Sequence, residues 1–387
     1  MIESFINTVA DAAASVLGGV ASLINPVDGD LHPAPTDGRV ELPQDLFAQA
    51  GAQTEWWYYT GHCHSDRGRE FGFELVFFKR RTDNDKLGRF PVSLMANPMY
   101  FAHFAISDIS DKRFRYDHRR SFNRPLEPVA IASTTACDVS LGDWSLREVA
   151  GKHILHATLQ DGLVFDAVLE STKPVAPNGA GGNGLSIKSG GSSKHFSFTR
   201  MSVAGQLSTG GSLETFTGSA WMDREFGAWE QAGGWDWFSI QFDDDTELMI
   251  YQFKDASGGM MGESTGTFVD RDGNCTYLKR RDFEIERMSG WTSKRSGAEY
   301  PAGWHVRVPD LDIDIAIEPL IPDQELDTRG TTMIVYWEGA CLVAGRRGDA
   351  RVNGRAYVEL VGYDRSHESI GVTDFIFGKP IADLFPF

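Results

Sequence analysis

An alternation of apolar and polar residues with a period of two, which begins after Pro43 and continues through most of the chain, is the feature that most constrains the fold. In REFGFELVFF, Phe71, Phe73, Leu75 and Phe77 share one face of an extended strand. Comparable runs recur almost to the end of the chain, whereas few helical patterns follow residue 24. The sequence therefore predicts an all-β architecture of many antiparallel strands, arranged as barrels or sandwiches.

Turn signals divide these runs into hairpins. Residues 243–246 join two strands within WDWFSIQFDDDTELMIYQF, and residues 271–274 form a turn between TGTFV and CTYL. Asn353 and Gly354 are typical of a two-residue hairpin turn before RAYVELVGY. The stretch 174–193 is rich in Gly, Ser and Asn and lacks periodicity, which predicts a long loop.

The strand pattern falls into two blocks of roughly six to nine strands, divided near residues 226–233. We therefore predict three parts. Residues 1–37 form an N-terminal amphipathic helix and linker, residues 38–228 form the first β-domain, and residues 229–387 form the second.

The N-terminal segment 1–24 has apolar residues on one side of a helix, with Glu3, Asn7 and Asp11 on the other. The first basic residue is Arg39, so the segment lacks both the positive start of a secretory signal and an attraction to anionic lipids. We expect a surface helix that docks on the protein or on a partner, with peripheral membrane contact as the alternative. A cytoplasmic location is expected.

Charge and composition exclude several classes of protein. The 387 residues include 37 basic and 54 acidic side chains, a net charge of -17, which argues against nucleic-acid binding. The four cysteines form no CxxC pair, and the chain has no GxSxG elbow, Walker loop or HExxH motif. The 45 aromatic residues (25 Phe, 10 Trp and 10 Tyr) instead favour a cavity for a hydrophobic small molecule, and no motif indicates a metal or a cofactor.

The densest aromatic cluster is EWWYYTGHCH. In a strand, Trp56, Tyr58, His62 and His64 share one face. The two histidines could ligate a metal, but a catalytic metal usually needs a third protein ligand, and His103 is the only other attractive candidate. We therefore interpret them as surface or pocket histidines.

The segment SAWMDREFG places Trp221, Asp223 and Glu225 on one strand face and Arg224 on the other. Two carboxyl groups beside a tryptophan suit acid–base catalysis, because apolar burial raises one pKa and like charge separates the two titrations. The alternative is a surface strand end at which Arg224 pairs with a neighbouring acid.

The next block opens with GWDWF, in which Trp235 and Trp237 share a face and Asp236 lies on the other, mostly apolar, face. A buried Asp must be paired or hydrogen-bonded, so Asp236 is either structural or functional. Further on, Tyr336 and Glu338 share a face, and a structural hydrogen bond between them is the expectation.

These residues lie in motifs that resemble a known family. EWWYYTGH, FELVFFK, AHFAISD, NGLSIKSG, SAWMDREFG, GWDWFSIQFDDDTELMIYQF, PDQELDT, YWEGA and GRAYVELVGY occur in the order seen in the AttH-like proteins, a lipocalin-like family grouped with carotenoid 1,2-hydratases (hydroxyneurosporene synthases). The resemblance covers residues 38–380 and implies two consecutive lipocalin-like antiparallel β-barrel domains that enclose an apolar cavity. For the hydratase branch it implies cofactor-independent addition of water to a terminal isoprenoid double bond. That branch carries an Asp–Asn pattern where this chain has Asp223, Arg224 and Glu225, so the chain is more similar to the AttH side.

The resulting hypothesis is an enzyme that protonates a double bond of an isoprenoid- or polyketide-like substrate, with hydration, cyclisation or isomerisation as the outcome. Asp223 is expected to be the acid, and Asp236 or Glu225 to orient it or position water. The residues expected to contact the substrate are Trp56, Tyr58, His103, Trp221, Trp235, Trp237 and Tyr336. The alternatives are a non-catalytic carrier of an apolar ligand and an AttH-type hydrolase.

Overall fold

The structure is a computed structural model that describes residues 38–83, 86–87, 90–94, 96–179, 182–229, 233–255 and 257–364. Within these ranges the chain forms β-strands and four short 3-10 turns, at Gln44–Leu46, Val92–Leu94, Arg280–Asp282 and Pro309–Leu311. The strands are β1 (Thr54–Ser65), β2 (Glu70–Arg80), β3 (Lys86–Leu87), β4 (Phe90–Pro91), β5 (Met99–Asp108), β6 (Arg113–Ser121), β7 (Ala130–Ala132), β8 (Asp138–Leu141), β9 (Trp144–Val149), β10 (Lys152–Thr158), β11 (Val164–Ser171), β12 (Ala176–Pro177), β13 (Leu185–Lys188), β14 (Gly191–Thr209), β15 (Ser212–Ala228), β16 (Gly234–Phe242), β17 (Glu247–Lys254), β18 (Thr265–Val269), β19 (Cys275–Lys279), β20 (Glu284–Arg287), β21 (Gly290–Thr292), β22 (Glu299–Pro301), β23 (Trp304–Val308), β24 (Ile313–Pro319), β25 (Glu325–Asp327), β26 (Val335–Arg347) and β27 (Ala350–Val361).

Two curled antiparallel sheets form a barrel and a half-barrel, which confirms the predicted all-β fold. The first sheet has the order β6-β5-β2-β1-β15-β14-β11-β10-β9-β8-β7, and β12 and β13 pair with β14. The second has the order β19-β18-β17-β16-β27-β26-β24-β23-β20, and β25 pairs with β26. The first sheet ends at Ala228 and the second begins at Gly234. The division into independent domains at residues 228 and 229 stays a prediction, and the predicted helix at 1–24 lies outside the described residues.

Strand β2 shows why the alternation is incomplete in the first sheet. Phe71, Phe73 and Phe77 point into the core of the barrel, as their alternation predicts. On the opposite face, Val76 and Phe78 are not solvated but pack in a second apolar cluster that includes residues of the second sheet. A strand that is buried on both faces loses the apolar–polar contrast. The outer face of the barrel therefore carries the second sheet.

The predicted turns at residues 243–246 and 271–274 are confirmed, since they connect β16 to β17 and β18 to β19. The predicted turn at Asn353 and Gly354 is wrong, because both residues lie within β27. The chain reverses earlier, between β26 and β27, where Gly348 adopts a φ of 57°. A glycine takes this left-handed conformation without steric cost.

The predicted loop at 174–193 is wrong in part, because it contains β12 and β13. In β13 the alternately buried residues are Ser186 and Lys188, which are polar and give no hydrophobic periodicity. No pattern in the sequence therefore indicated that residues 185–188 form a strand that pairs with β14. Among the described residues, no helix is both long and apolar enough to cross a membrane.

Candidate active site

A cavity of about 380 Å³ lies between the two sheets. Six of the seven predicted substrate contacts line it: Trp56, Tyr58, His103, Trp235, Trp237 and Tyr336. Phe78, Phe101, Trp229, Tyr251 and Phe253 extend the aromatic wall. A concave, aromatic surface with a small number of polar groups is typical of a site for a small hydrophobic molecule. The roles of these residues in binding stay predictions.

Trp221 lies behind this wall and does not line the cavity. Its ring meets Trp237 edge to face, with the centroids 6.1 Å apart, and its side chain is almost fully buried. The indole nitrogen has no hydrogen-bond partner within the described part of the chain. Trp221 therefore supports the wall of the cavity through Trp237.

Asp223 lines the cavity from β15, where four hydrogen bonds hold its carboxyl group. His195 Nε2 lies 2.9 Å from Oδ1 and 3.1 Å from Oδ2, Ser197 Oγ donates to Oδ1 at 2.8 Å, and Trp56 Nε1 donates to Oδ2 at 3.2 Å. Burial by itself would raise the pKa of Asp223, but the positive charge of His195 and these donors lower it below the ordinary value. Asp223 is therefore a carboxylate at neutral pH.

His195 completes the pair from β14 and is itself buried. Burial would lower its pKa, but the negative charges of Asp223 and Glu225 outweigh burial and raise it. The raised pKa of His195 and the lowered pKa of Asp223 both favour an ion pair between the two side chains. This arrangement argues against the expected role of Asp223 as the proton donor, because an ionised carboxyl group has no proton to give.

Glu225 is fully buried and does not line the cavity, but it pairs with Lys188, which does. Lys188 Nζ lies 2.5 Å from Glu225 Oε1, which also accepts a hydrogen bond from Ser193. The ammonium group faces the rings of Trp229 and Tyr251, at 4.3 and 5.0 Å from their centroids. Burial lowers the pKa of Lys188, although the charge of Glu225 opposes this effect. Glu225 thus lies behind the cavity wall and positions Lys188.

Glu359 lines the cavity from β27, and Trp235 Nε1 donates a hydrogen bond of 2.8 Å to its Oε2. Burial raises the pKa of Glu359 to about 7; the hydrogen bond from Trp235 opposes this rise, and the charge of Asp223 adds to it. A large fraction of Glu359 is therefore protonated at neutral pH. Asp223 and Glu359 therefore bring to the cavity an ionised carboxyl group and one that can carry a proton near neutral pH, a combination suited to acid–base catalysis.

Two further carboxyl groups lie at the contact between the sheets. Tyr58 donates a hydrogen bond of 2.5 Å to Glu338 Oε1, and Tyr336 donates one of 3.2 Å to Glu74 Oε1. The expected bond between Tyr336 and Glu338 is therefore wrong, because each residue finds its partner on the other sheet. Burial, together with the negative charge of Glu359, raises the pKa of Glu74 to about 8 and that of Glu338 well above its ordinary value.

His103 extends this network to the cavity. Its Nδ1 lies 2.7 Å from the hydroxyl of Tyr336, while its buried Nε2 has no hydrogen-bond partner among the described residues. Burial, and to a smaller degree the charge of His118, lower the pKa of His103 well below its ordinary value. His103 therefore presents a neutral imidazole at the cavity.

Asp236 does not line the cavity, and its position argues against the catalytic role predicted for it. It lies on the face of β16 opposite Trp235 and Trp237 and does not line the cavity. Lys254 Nζ lies 2.5 Å from Oδ1, and the hydroxyl of Tyr363 lies 3.0 Å from each carboxyl oxygen. The geometry therefore supports a structural role for Asp236, as the partner of Lys254 and Tyr363.

Arg224 points into the barrel, on the face opposite Asp223 and Glu225, as predicted. Its Nη2 lies 2.6 Å from Glu55 Oε2, and Lys79 Nζ lies 2.7 Å from Glu55 Oε1. All of these side chains are buried. The alternative of a solvated strand end is therefore wrong for this segment.

Three charged or titratable residues of the site were not predicted from the sequence: Lys188, His195 and Glu359. His195 alternates with Ser197 in KHFSF, and Glu359 alternates with Tyr357 in AYVELV, so their strand faces could have been assigned. Nothing in the sequence indicated that these faces meet at a cavity. Lys188, in the glycine-rich stretch, had no periodic signal at all.

The histidines of the His-x-His pair lie apart from the cavity. His62 Nε2 lies 3.0 Å from the carbonyl oxygen of Ala356, and burial lowers the pKa of His62 to about 4. His64 is exposed and lies 3.5 Å from Glu70. In the described ranges, no three or more His, Cys, Asp or Glu side chains form a group that could hold a metal ion.

Comparisons with known proteins connect this chain to a family. No curated protein sequence matches the chain. A crystal structure of a putative AttH from Nitrosomonas europaea is 27% identical, with a TM-score of 0.75, and the match covers 86% of this chain and 100% of that one. Kievitone hydratase from Nectria haematococca has the same fold, with 16% identity, a TM-score of 0.64 and coverage of 86% and 95%. The model of the AttH-like family matches residues 33–363, and the chain therefore belongs to the AttH-like family.

Proposed function

We propose that the protein is a cofactor-independent enzyme that adds water to a carbon–carbon double bond of a hydrophobic, isoprenoid- or polyketide-like substrate, or catalyses a related cyclisation or isomerisation. The observation that carries the proposal is that Glu359 and Asp223 line one aromatic cavity with pKa values displaced in opposite directions. The fold shared with a protein named kievitone hydratase is in keeping with a hydration reaction.

The first step assigned to the cavity is protonation of the double bond. The carboxylic acid of Glu359 gives its proton to one alkene carbon, the π electrons form the new C–H bond, and the neighbouring carbon becomes a cation. Nearby rings such as Trp237 and Tyr251 stabilise this cation through their electron-rich faces, by about 0.5–2 kcal/mol each. The ionised Asp223 adds an attractive charge in a site of low dielectric constant.

The second step is capture of the cation by water. The oxygen of the water forms the C–O bond, and its surplus proton passes to Asp223, which His195 holds as a carboxylate. The proton returns from Asp223 to Glu359 through solvent, so that the net change is the addition of one water. In this proposal Glu359 is the acid and Asp223 is the base. The sequence had instead predicted Asp223 as the acid.

The test is incubation of the purified protein with a panel of prenylated phenols and terpenoid ketones in oxygen-18 water. Hydration adds the mass of one labelled water to a substrate, as measured by liquid chromatography and mass spectrometry. Glu359→Gln keeps the shape of the side chain but removes the acid, so we expect it to abolish this product. Conversion that continues at the full rate in Glu359→Gln would refute the assignment.

A non-catalytic carrier is the second candidate, because the same aromatic walls would hold an apolar ligand without reaction. Native mass spectrometry of the freshly purified protein separates the two. A bound molecule that stays chemically unchanged through prolonged incubation with the protein favours the carrier. A hydrolase would instead split its substrate into two smaller products in the same assay.

A further inference from the structure

We propose that Lys188 binds a neutral oxygen acceptor of the substrate, such as a ketone or hydroxyl oxygen, so that the substrate is an oxygenated molecule and not a pure hydrocarbon. For the double bond that reacts, this inference rests on the proposed function. The oxygen-binding position itself rests only on the geometry around Lys188.

The ammonium group of Lys188 lies within the cavity wall although the residue is only 6% exposed. Its Nζ lies 4.3, 5.0, 5.1 and 5.5 Å from the ring centroids of Trp229, Tyr251, Phe253 and Trp56. All four rings also line the cavity. The charge is therefore placed where a ligand in the cavity would meet it.

The hydrogen-bonding capacity of this ammonium group is largely unused. A lysine ammonium has three N–H donors. Besides Glu225, at 2.5 Å, the described residues offer Nζ no acceptor in a hydrogen-bonding position. The ring faces attract the positive charge but are poor hydrogen-bond acceptors. An oxygen atom of a ligand would satisfy donors that the protein leaves without a partner.

The charges around this position favour a neutral oxygen over an anion. Lys188 is balanced by Glu225, and His195 is balanced by Asp223. A carboxylate or phosphate beside Lys188 would add a buried negative charge next to two ion pairs whose charges are already balanced. A carbonyl or hydroxyl oxygen accepts a hydrogen bond without that cost.

A second part of the cavity wall suits the hydrocarbon portion of the same molecule. Phe78, Met99 and Phe101 line the cavity and pack together in an apolar cluster. A substrate with an oxygen at Lys188 and an isoprenoid chain against these residues would use both parts. Binding of the oxygen at Lys188 would also fix the orientation of the isoprenoid chain relative to Glu359.

The experiment measures binding and needs no turnover. Quenching of the tryptophan fluorescence of the cavity is titrated with geranylacetone, with the hydrocarbon in which a methylene replaces its carbonyl, and with geranylacetic acid. We expect the ketone to bind at least about tenfold more tightly than the hydrocarbon, as for a hydrogen bond from a charged donor. We also expect it to bind more tightly than the carboxylate.

The variant Lys188→Met/Glu225→Gln removes the donor and keeps the local charge balanced. We expect it to bind the hydrocarbon as the wild type does and to lose the preference for the ketone. Lys254→Met/Asp236→Asn removes a similar buried pair outside the cavity and is expected to keep that preference.

Three results would overturn the inference: equal affinity of the wild type for ketone and hydrocarbon, a preference for the ketone that persists without Lys188, or no saturable binding of the ketone. A preference that depends on Lys188 without any hydration of the panel above would support this inference and refute the proposed reaction. The two proposals therefore fail separately.

Discussion

Glu338 and Glu359 lie directly opposite each other on the paired strands β26 and β27, so their side chains share one face of the second sheet. Like charges at such a position destabilise a sheet. Burial is the largest cause of the raised pKa of each, and Glu74 of the facing sheet, whose pKa is raised to about 8, completes the group. The two sheets thus meet over a cluster of acids that are protonated more readily than ordinary carboxyl groups.

This cluster makes the stability of the fold depend on pH. Because the pKa values of Glu74 and Glu359 are raised in the folded state, to about 8 and about 7, folding binds protons. Their contribution is complete below the ordinary carboxyl pKa of 4.5 and is lost as the pH rises through 7 to 8. We expect the free energy of unfolding, measured with urea, to fall between pH 5.5 and pH 8.5.

Glu338→Gln tests the origin of this dependence, since Gln resembles the protonated acid and still accepts the hydrogen bond from Tyr58. We expect the variant to match the wild type at pH 5.5 and to exceed its free energy of unfolding at pH 8.5. The exposed Glu318→Gln serves as the control, with a profile parallel to the wild type. A Glu338→Gln profile that also stays parallel would show that the cluster does not cause the dependence.

If Glu359 is the acid, turnover should depend on its protonated form. The pKa of Glu359 is raised to about 7, so we expect kcat/KM to fall about tenfold per pH unit once the pH exceeds that value. Glu359→Gln should lower kcat by about 10²–10⁴ below pH 7 and remove the fall in rate above it, because the amide cannot act as an acid. Rates that rise between pH 7 and pH 9 would exclude Glu359 as the proton donor.

The ion pair of Asp223 and His195 can be tested by nuclear magnetic resonance. In Asp223→Asn the larger of the two negative charges that raise the pKa of His195 is lost, so we expect the imidazole to titrate at lower pH than in the wild type. Turnover should fall with it. Asp166→Asn is the matched control, since the exposed Asp166 pairs with His156 at 2.7 Å. An unchanged titration of His195 in Asp223→Asn would disprove the pairing.

Asp236 should prove dispensable for catalysis. Its partners are Lys254 and Tyr363, and it lies on the far side of β16 from the cavity. Replacement of the whole pair, Asp236→Asn/Lys254→Met, avoids an unpaired buried charge. We expect kcat and KM to stay within about twofold of the wild type. A tenfold loss of kcat in a folded double variant would restore Asp236 as a catalytic candidate.

Arg224 has a structural role that stability measurements can isolate. Arg224→Met leaves Glu55 buried with Lys79 as its remaining cation, and we expect a loss of about 3–5 kcal/mol in the free energy of unfolding. Arg307→Met removes an exposed pair with Glu284 and should cost at most about 1 kcal/mol. Equal effects of the two changes would contradict the buried network.

The sequence alone determined the strands and most of their faces. Side chains alternate across a strand, so the sequence placed Trp221 and Asp223 together on one face of their strand. In the same way it placed Trp235 and Trp237 together on one face of the next strand. Residue identity also located the turns at 243–246 and 271–274. The turn assigned to Asn353 and Gly354 failed because the same residues fit inside a strand, and the actual turn at Gly348 lies five residues earlier.

Only the tertiary structure decided which strand faces meet. The alternation of side chains assigned Asp236 to one face of its strand. It did not show that Lys254 would pair with Asp236 on that face, or that Trp235 and Trp237 on the other face would line the cavity. It also could not show that the short strand ending at Lys188 adds a cation to the site. The protonation states followed from the same contacts, because burial and neighbouring charges fix a pKa in three dimensions. Alternation along one strand therefore defined the candidate residues, and the packing of two sheets decided their chemistry.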